Sequence, residues 1–453
     1  MEATRKKNGI QRIRQLFQFT GFACLLGFFP LTAGAQAPRH LSMAEAVRMG
    51  LDNSKQLKIS LAKVEEAEAK YEQALDARLP SAKLTAMASE AFIPTRKFQF
   101  PGAQKPLELP GHSTVYLSTF GVNEAIFAGN KLKYAKASAD LVKKVASLNA
   151  ANDQEEVIFA IINAYINLYK IDDSRKIVTQ NLQDVQGRLE ETEKFEQNGL
   201  ATKNDVLRFE LQKSNVQLTA IDLDNNRKIA NYNMNILLGL PDSTTIEVDS
   251  IIRLQNNISP MGDFITQAVS NRKDLAVYGY QKQLADINIK NIRAGKLPEL
   301  GAGVNAYYIN PSPKLFPTAN SFLVPVTVGL NLSWDISALY TSRHKINEAG
   351  IQQQEITIGQ SAMQDRVKMD VNQQYTGYLQ ALQKINILET AVTQATENDR
   401  IMESKYQNQL ATTTDRIDAQ TLLYQSKINL ELAKADAEIA YYNLLKSTGT
   451  IQP

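Results

Sequence analysis

The chain has 453 residues, 43% of them apolar and 21% charged, with a formal net charge of +3. Such a length holds two or three domains with a sizeable core, and the near balance of charge gives nucleic-acid binding no electrostatic support. Three scattered histidines (His40, His112, His344) and one cysteine, Cys24, offer no metal-ligand spacing, nucleophilic constellation or phosphate-cradling loop, so neither an enzyme nor a cofactor is expected.

At the N-terminus, Arg5, Lys6, Lys7, Arg12 and Arg14 precede an apolar run that ends in Ala33-Gly34-Ala35. A basic region, an apolar region and a small-x-small site predict a secretory signal over residues 1–35, cleaved after Ala35. The run is too short and too interrupted for a comfortable membrane anchor. Cys24 lies inside it without a convincing lipobox, and cleavage leaves an exported chain with no cysteine. No later run of about 20 apolar residues follows, which excludes a helical inner-membrane protein.

The prolines then draw the map. None lies between 111 and 240 or between 326 and 452, whereas five crowd 80–110 and five crowd 298–325. Proline breaks helix interiors, so the long gaps are where long helices fit. Helical segments are expected over 42–79, 131–197 and 201–239, and again over 262–296, 342–407 and 412–447, all rich in Ala, Gln, Glu, Lys and Leu. Segment 131–197 would reach about 100 Å. Its apolar residues, among them Leu141, Val145, Leu148, Phe159, Ile162, Ile166 and Tyr169, make a narrow stripe that suits a coiled-coil seam.

Between these helices the period changes to two. In 326–336, Val326, Val328, Leu330, Leu332, Trp334 and Ile336 alternate with Thr327, Gly329, Asn331, Ser333 and Asp335, the pattern of a strand with one apolar face. Strands are expected at about 81–93, 114–127, 299–310 and 322–336. The weak signal of the others is the usual one for membrane β-strands. Four strands cannot close a membrane barrel, which needs about eight or more, and lipid does not tolerate an open sheet edge. The chain must therefore oligomerise: two copies would supply eight strands and three would supply twelve.

The order runs twice. "QNGLATKND" (197–205) returns as "QNQLATTTD" (407–415), "YNMNILLG" (232–239) as "YNLLKSTG" (442–449), and Ile126 as Ile336. Two homologous halves follow, about 36–260 and 261–453, too long for a solenoid period. Each nonapeptide reads as a helix–turn–helix tip. Asn198-Gly199 suits a helix C-terminus, while Thr202 with Asp205 and Thr412 with Asp415 form capping-box variants that start the next helix. Turn chemistry does not require both tips to share Gln, Asn, Leu and Ala. A common binding duty would.

Three stretches carry a resemblance to a known family. "LSMAEAVRMGLDNS" (41–54), "IFAGNK" (126–131) and both nonapeptides resemble, in order, the opening helix, the strand-to-helix exit and the hairpin tips of the TolC family of outer-membrane efflux factors. The match covers essentially all of the mature chain. Asn130 and Gln409 stand where the family has glycine, and "ISALYTS" (336–342) has lost the second exit motif. The resemblance implies a fold that is mainly α with membrane β. A duplicated long-helix α-barrel would cross the periplasm, topped by a trimeric twelve-stranded β-barrel in the outer membrane.

The resemblance also implies export of small molecules or proteins without a chemical step, as a homotrimer coupled through a periplasmic adaptor to an inner-membrane pump. Gly199, Leu200, Ala201, Leu410 and Ala411 match its adaptor-docking tips. Asp415 and Asp418 match its constriction aspartates, and Tyr406 and Asp205 match residues that tie neighbouring helices shut. An arginine latch is missing, because Ala411 occupies its place. The stretches 94–112 and 310–321 are expected as exposed extracellular loops. A structural or adhesive coiled-coil trimer and a secreted helical enzyme are the alternatives from other classes. The paired strands disfavour the first, and the absence of any catalytic cluster disfavours the second.

Overall fold

A computed structural model of the protein describes residues 38–92, 94, 97–108, 112–249, 259–310 and 322–452. The expected signal over 1–35, most of 310–321 and part of 94–112 lie outside the described residues.

The chain opens with β1 (Arg39–Leu41), α1 (Met43–Asn53) and α2 (Lys55–Asp76), followed by β2 (Ser81–Phe92), β3 (Lys97–Phe98), β4 (Leu107–Glu108) and β5 (His112–Phe127). Two long helices come next, α3 (Lys131–Gln197) and α4 (Lys203–Leu238), then β6 (Ile246–Val248). The second half repeats the order with α5 (Met261–Asn271), α6 (Lys273–Ala294), β7 (Glu299–Asn310), β8 (Val326–Ser333), α7 (Ala338–Gln407) and α8 (Thr413–Ser447). With 67 and 70 residues, α3 and α7 extend for about 100 Å each.

Segments 42–79 and 262–296, expected as single helices, are each broken near the start. Ser54 leaves helical geometry (φ −57°, ψ 114°), and its hydroxyl accepts from Leu57 N, starting α2 afresh. A short polar side chain that bonds the backbone locally offers just this alternative to the helix ladder. Arg272 makes the second break (φ −66°, ψ 123°), held by Asp274 at 2.6 Å and Asp370 at 2.8 Å.

Besides a separate short ribbon in which β3 pairs with β4, four of the strands form one antiparallel sheet in the order β2-β5-β7-β8. Its register sets Leu84 opposite Phe120, Phe120 opposite Ala306, and Ala306 opposite Val326. Even-numbered residues of all four strands therefore share one face, since side chains alternate. That face is apolar and uncovered: Leu84, Phe120, Val304, Val326, Val328, Leu330 and Leu332 are all exposed. Opposite it lie Lys83, Thr119, Asn123, Asn305, Thr327 and Asn331. β2 and β8 are the sheet's two edges, and no strand among the described residues pairs with their outer sides.

Helix packing supplies the cores. Ile158, Ile162, Tyr165 and Ile166 of α3 bury against Met234 and Leu238 of α4, with Leu41 and Ile246 from the small parallel β1–β6 pair. Each fully buried large apolar side chain contributes about 1.5–3 kcal/mol. The Tyr165 hydroxyl donates to Leu41 O at 2.6 Å and accepts from Asp249 N at 2.9 Å, pinning that pair to α3. The second half has a matching core of Phe264, Val367, Val371, Tyr378 and Leu444. Farther along α3, the buried residues Val178, Asn181, Val185, Leu189 and Thr192 are each three or four apart. That spacing puts them on one face of α3, a coiled-coil-like seam that runs toward the tip. Among the described residues no helix is long and apolar enough to cross a membrane.

Candidate functional site

The two hairpin tips have the same backbone. At the first, Leu200 N donates to Phe195 O at 2.8 Å and Gly199 N to Glu196 O at 2.9 Å; at the second, Leu410 N donates to Lys405 O at 2.7 Å and Gln409 N to Tyr406 O at 3.0 Å. These paired bonds close both helices with a left-handed residue. Gly199 has φ 70° and Gln409 has φ 61°, so the glutamine holds the glycine conformation at a steric cost of about 1–2 kcal/mol. Asn130, the other departure from glycine, also sits at φ 70°, which a short polar side chain tolerates more readily.

The repeated asparagines have a local duty. Asn198 Nδ2 donates to Lys194 O and Asn408 Nδ2 to Ser404 O, each at 2.7 Å, satisfying carbonyls the helix end leaves open. Thr202 with Asp205, and Thr412 with Asp415, form full reciprocal capping boxes. What the fold does not use is the repeated leucine: Leu200 is 60% exposed and Leu410 77% exposed. Beside them, Gly199 is exposed and Ala201 and Ala411 are half-buried.

Asp205 and Tyr406 join the two tips. Thr413 Oγ1 donates to Asp205 Oδ1 at 2.6 Å, while Oδ2 of the same carboxylate serves the Thr202 cap at 2.9 Å. The Tyr406 ring meets Phe209 edge-on, with centroids 6.5 Å apart, and its hydroxyl lies 3.4 Å from Thr192 Oγ1. Leu189, Val206 and Ile417 close this small cluster. Partial burial alone would raise the Asp205 pKa. Hydrogen bonds from Thr202 and Thr413 outweigh it and hold the carboxyl below its ordinary value.

Asp415 and Asp418 lie apart from this junction, both exposed on α8. Asp415 Oδ2 accepts from Thr412 N at 3.0 Å and Thr412 Oγ1 at 2.7 Å, and these bonds lower its pKa. Its Oδ1 takes no donor among the described residues, and Asp418 has no partner there at all.

One group of residues is not legible from the motifs. Arg416, 5% exposed, donates to Asp399 Oδ1 and Glu403 Oε2 of α7, each at 2.6 Å. Glu403 also takes Arg188 of α3 at 2.7 Å, and Arg188 reaches Glu191 at 2.8 Å. Nearby, the Tyr424 hydroxyl donates to Asp184; burial, then that carboxylate, raises its pKa. The network binds α3, α7 and α8 over about the first four turns behind the tips. Its sequence signal is a charge on an apolar seam, because Arg416 shares the α8 face of Thr413, Gln420 and Leu423. Nε and Nη1 of Arg416 are thus both engaged within its own chain.

The family model described as outer membrane efflux protein matches residues 46–240 and 264–450. Over 336 residues the chain is 22% identical to the outer membrane efflux protein BepC of Brucella suis biovar 1, covering 72% of this chain and 71% of that one. Among solved structures, the outer membrane protein VceC of Vibrio cholerae is similar at a TM-score of 0.72 and 19% identity, covering 90% of this chain and 96% of the other. The CmeC outer membrane channel of Campylobacter jejuni is similar at 0.73 and 12% identity, covering 90% and 85%.

Proposed function

Because this chain belongs to the outer membrane efflux protein family, we propose that three copies of it form one conduit, gated and docked at the helical tips. It is an outer-membrane efflux channel, and the family provides the outer component of tripartite systems, which makes an adaptor and a pump its partner class. The observation that carries oligomerisation is the sheet, and the number three comes from the family resemblance. It exposes an apolar face and leaves β2 and β8 unpaired, and neither edge is tolerated in lipid. Pairing β8 of one copy with β2 of the next closes twelve strands. The face bearing Asn123, Asn305 and Thr327 then lines water, and the face bearing Phe120 and Val328 lines lipid.

At the other end, the exposed Leu200 and Leu410 with their small neighbours Gly199, Ala201 and Ala411 form the surface for the adaptor. Asp418, exposed and without a partner among the described residues, becomes a ring of three carboxylates about the axis, with Asp415 one turn nearer the tip. The ties through Asp205 and Tyr406 hold each chain's two hairpins in the closed position. Transport involves no chemical step. Export by residues 1–35, with Gln36 as the mature N-terminus, and exposure of 94–112 outside the cell belong to the same reading.

The test is the mass of the detergent-extracted particle together with heat-modifiable migration on a gel. A trimer whose mobility changes on heating supports the reading. A monomer or dimer sinks it.

A further inference from the structure

The polar face of the sheet is nearly free of charge. Among the described residues of β2, β5, β7 and β8 that share the face of Asn123 and Thr327, only Lys83 and Glu299 are charged. Glu299 stands at the helix end of β7, where Lys131 Nζ reaches it at 2.5 Å. Lys83 is exposed and forms no ion pair among the described residues. It lies opposite Gly121, Gly121 lies opposite Asn305, and Asn305 lies opposite Thr327, one rung across the sheet. The glycine leaves a notch beside the lysine. A Cβ added at 121 would collide with Asn305 Oδ1 and come within 3.3 Å of Asn123 Nδ2. Two side-chain amides therefore lean over bare backbone next to the ammonium. An amide N–H and an ammonium are both donors, the set that a carboxylate or sulfonate accepts from.

Farther from the helices the same face changes character. Side chains on one face recur every second residue, about 7 Å apart. The next rung holds Thr85, Thr119 and Tyr307, and the one after it Met87, Leu117 and Ile309. A polar, cationic wall thus gives way to an apolar one within about 14 Å. Three-fold symmetry sets the lysines of three chains at one height in the bore. We infer that these Lys83 ammonium groups form a filter in the β-barrel that favours amphipathic organic anions as cargo. The charged head rests between Lys83 and Asn123, and the apolar body rests on the rung of Met87, Leu117 and Ile309. The inference rests on the trimeric barrel reading above and names a cargo class for it.

The lysine ring is opposite in sign to the carboxylates of Asp418. The length of α7 separates the two by about 90 Å, many times the screening length of physiological salt. Each ring therefore acts on what passes beside it, and neither cancels the other. An exposed ammonium contributes modestly to each contact. Its effect on a passing anion is accordingly a matter of several-fold and depends on salt.

The experiment uses full-chain trimers added to one chamber of a planar bilayer. No helix among the described residues can cross a membrane, so the sheet spans the bilayer and the barrel mouth opens to the opposite chamber. The probe added there is 8-anilinonaphthalene-1-sulfonate, an anion with an apolar body, with ethidium as its cationic counterpart. Lys83→Gln should raise the sulfonate concentration that half-blocks the current by about two- to five-fold in about 0.1 M salt. Lys83→Arg should leave it unchanged. The difference should vanish in about 1 M salt, where the screening length falls to about 3 Å. Block by ethidium should not weaken in Lys83→Gln. Leu117→Asn should weaken both probes alike, because apolar contact is blind to sign. Thr327→Lys adds a second ammonium on the same rung and should lower the half-blocking sulfonate concentration. A conducting Lys83→Gln trimer that keeps the parent's sulfonate block, or loses ethidium block equally, overturns the filter and leaves the channel reading standing. Should Lys83→Gln fail to assemble, unaltered sulfonate block in Thr327→Lys overturns it. A parent particle that is not a trimer overturns both readings.

Discussion

Thr413 of the second hairpin gives its hydroxyl to Asp205 of the first at 2.6 Å, so the residue that starts one helix is fastened by the residue after the cap of the other. Asp205 thereby has two duties, one per carboxylate oxygen. The variants Thr202→Ala and Thr413→Val separate them. Loss of the cap should cost about 1 kcal/mol of local helix stability, read as faster amide exchange at 203–206. Loss of the tie should leave those amides alone and raise resting conductance in a planar bilayer. Faster exchange in Thr413→Val with unchanged conductance would show that the bond only supports the helix.

The same carboxylate sets a pH dependence. Asp205 is held below its ordinary pKa in the folded tip. The stability it adds is present above the unfolded value of about 3.9 and fades as pH falls through the lower folded value. Resting conductance should be flat from pH 7 to about 5 and climb only below about 4, with Asp205→Asn lacking that climb. A rise centred near pH 6 would point to a different group.

The left-handed residue at each tip gives the third prediction. Gln409 occupies φ 61° where Gly199 occupies φ 70°. Gln409→Gly should relieve about 1 kcal/mol, since only glycine enters that region without a Cβ clash. The readout is slower hydrogen exchange at 409–412. Gly199→Gln should do the reverse at the first tip. If neither substitution changes exchange, the strain is relaxed by neighbouring bonds.

How much of this was readable in advance depends on the range of the interaction. The strand at 326–333 declares itself because one apolar face recurs every second residue from Val326 to Leu332. The caps do so because Thr and Asp three apart bond their own backbone. The β1–β6 pair could not be read. Each strand has three residues, and Arg39 pairs with Ile246 only after α3 and α4 have folded back. Nor could the Thr413–Asp205 bond, which depends on the rotation of one hairpin against the other. The resemblance marked Asp205 and Tyr406 as ties without supplying their partners, Thr413, Thr192 and Phe209.

The sheet has a directional test. Val328 lies on the exposed apolar face, and its neighbour Thr327 lies on the opposite one. Val328→Arg should cost about 2–4 kcal/mol if that face meets the bilayer midplane. Assembled heat-modifiable trimer should then drop sharply. Thr327→Arg should assemble normally and shift ion selectivity toward anions. Equal tolerance at both positions is incompatible with a barrel wall of this orientation.

The exposed leucines separate docking from folding. Since Leu200 and Leu410 are 60% and 77% exposed, their loss should leave the tips intact. The double variant Leu200→Asp plus Leu410→Asp should abolish efflux while trimer yield and bilayer conductance stay as they were. Undiminished efflux from cells carrying it would remove the adaptor surface from this end of the molecule.

The constriction is the sharpest test of function, because Asp415 and Asp418 share a helix face and differ in what holds them. Asp415 has a cap to serve, whereas Asp418 has no partner among the described residues. In a trimer, Asp418 places three like charges about one axis. Such a ring attracts cations and repels anions, and its members raise one another's pKa. Asp418→Asn should therefore reduce cation selectivity and weaken block by divalent and trivalent cations, without altering trimer yield. Asp415→Asn should act more on the resting open fraction than on selectivity, because its charge is engaged at the cap. Single-channel recording in asymmetric salt reads both quantities from one trace. Should Asp418→Asn trimers keep the selectivity and block of the parent, the axis is lined by other groups and α8 does not face it through Asp418.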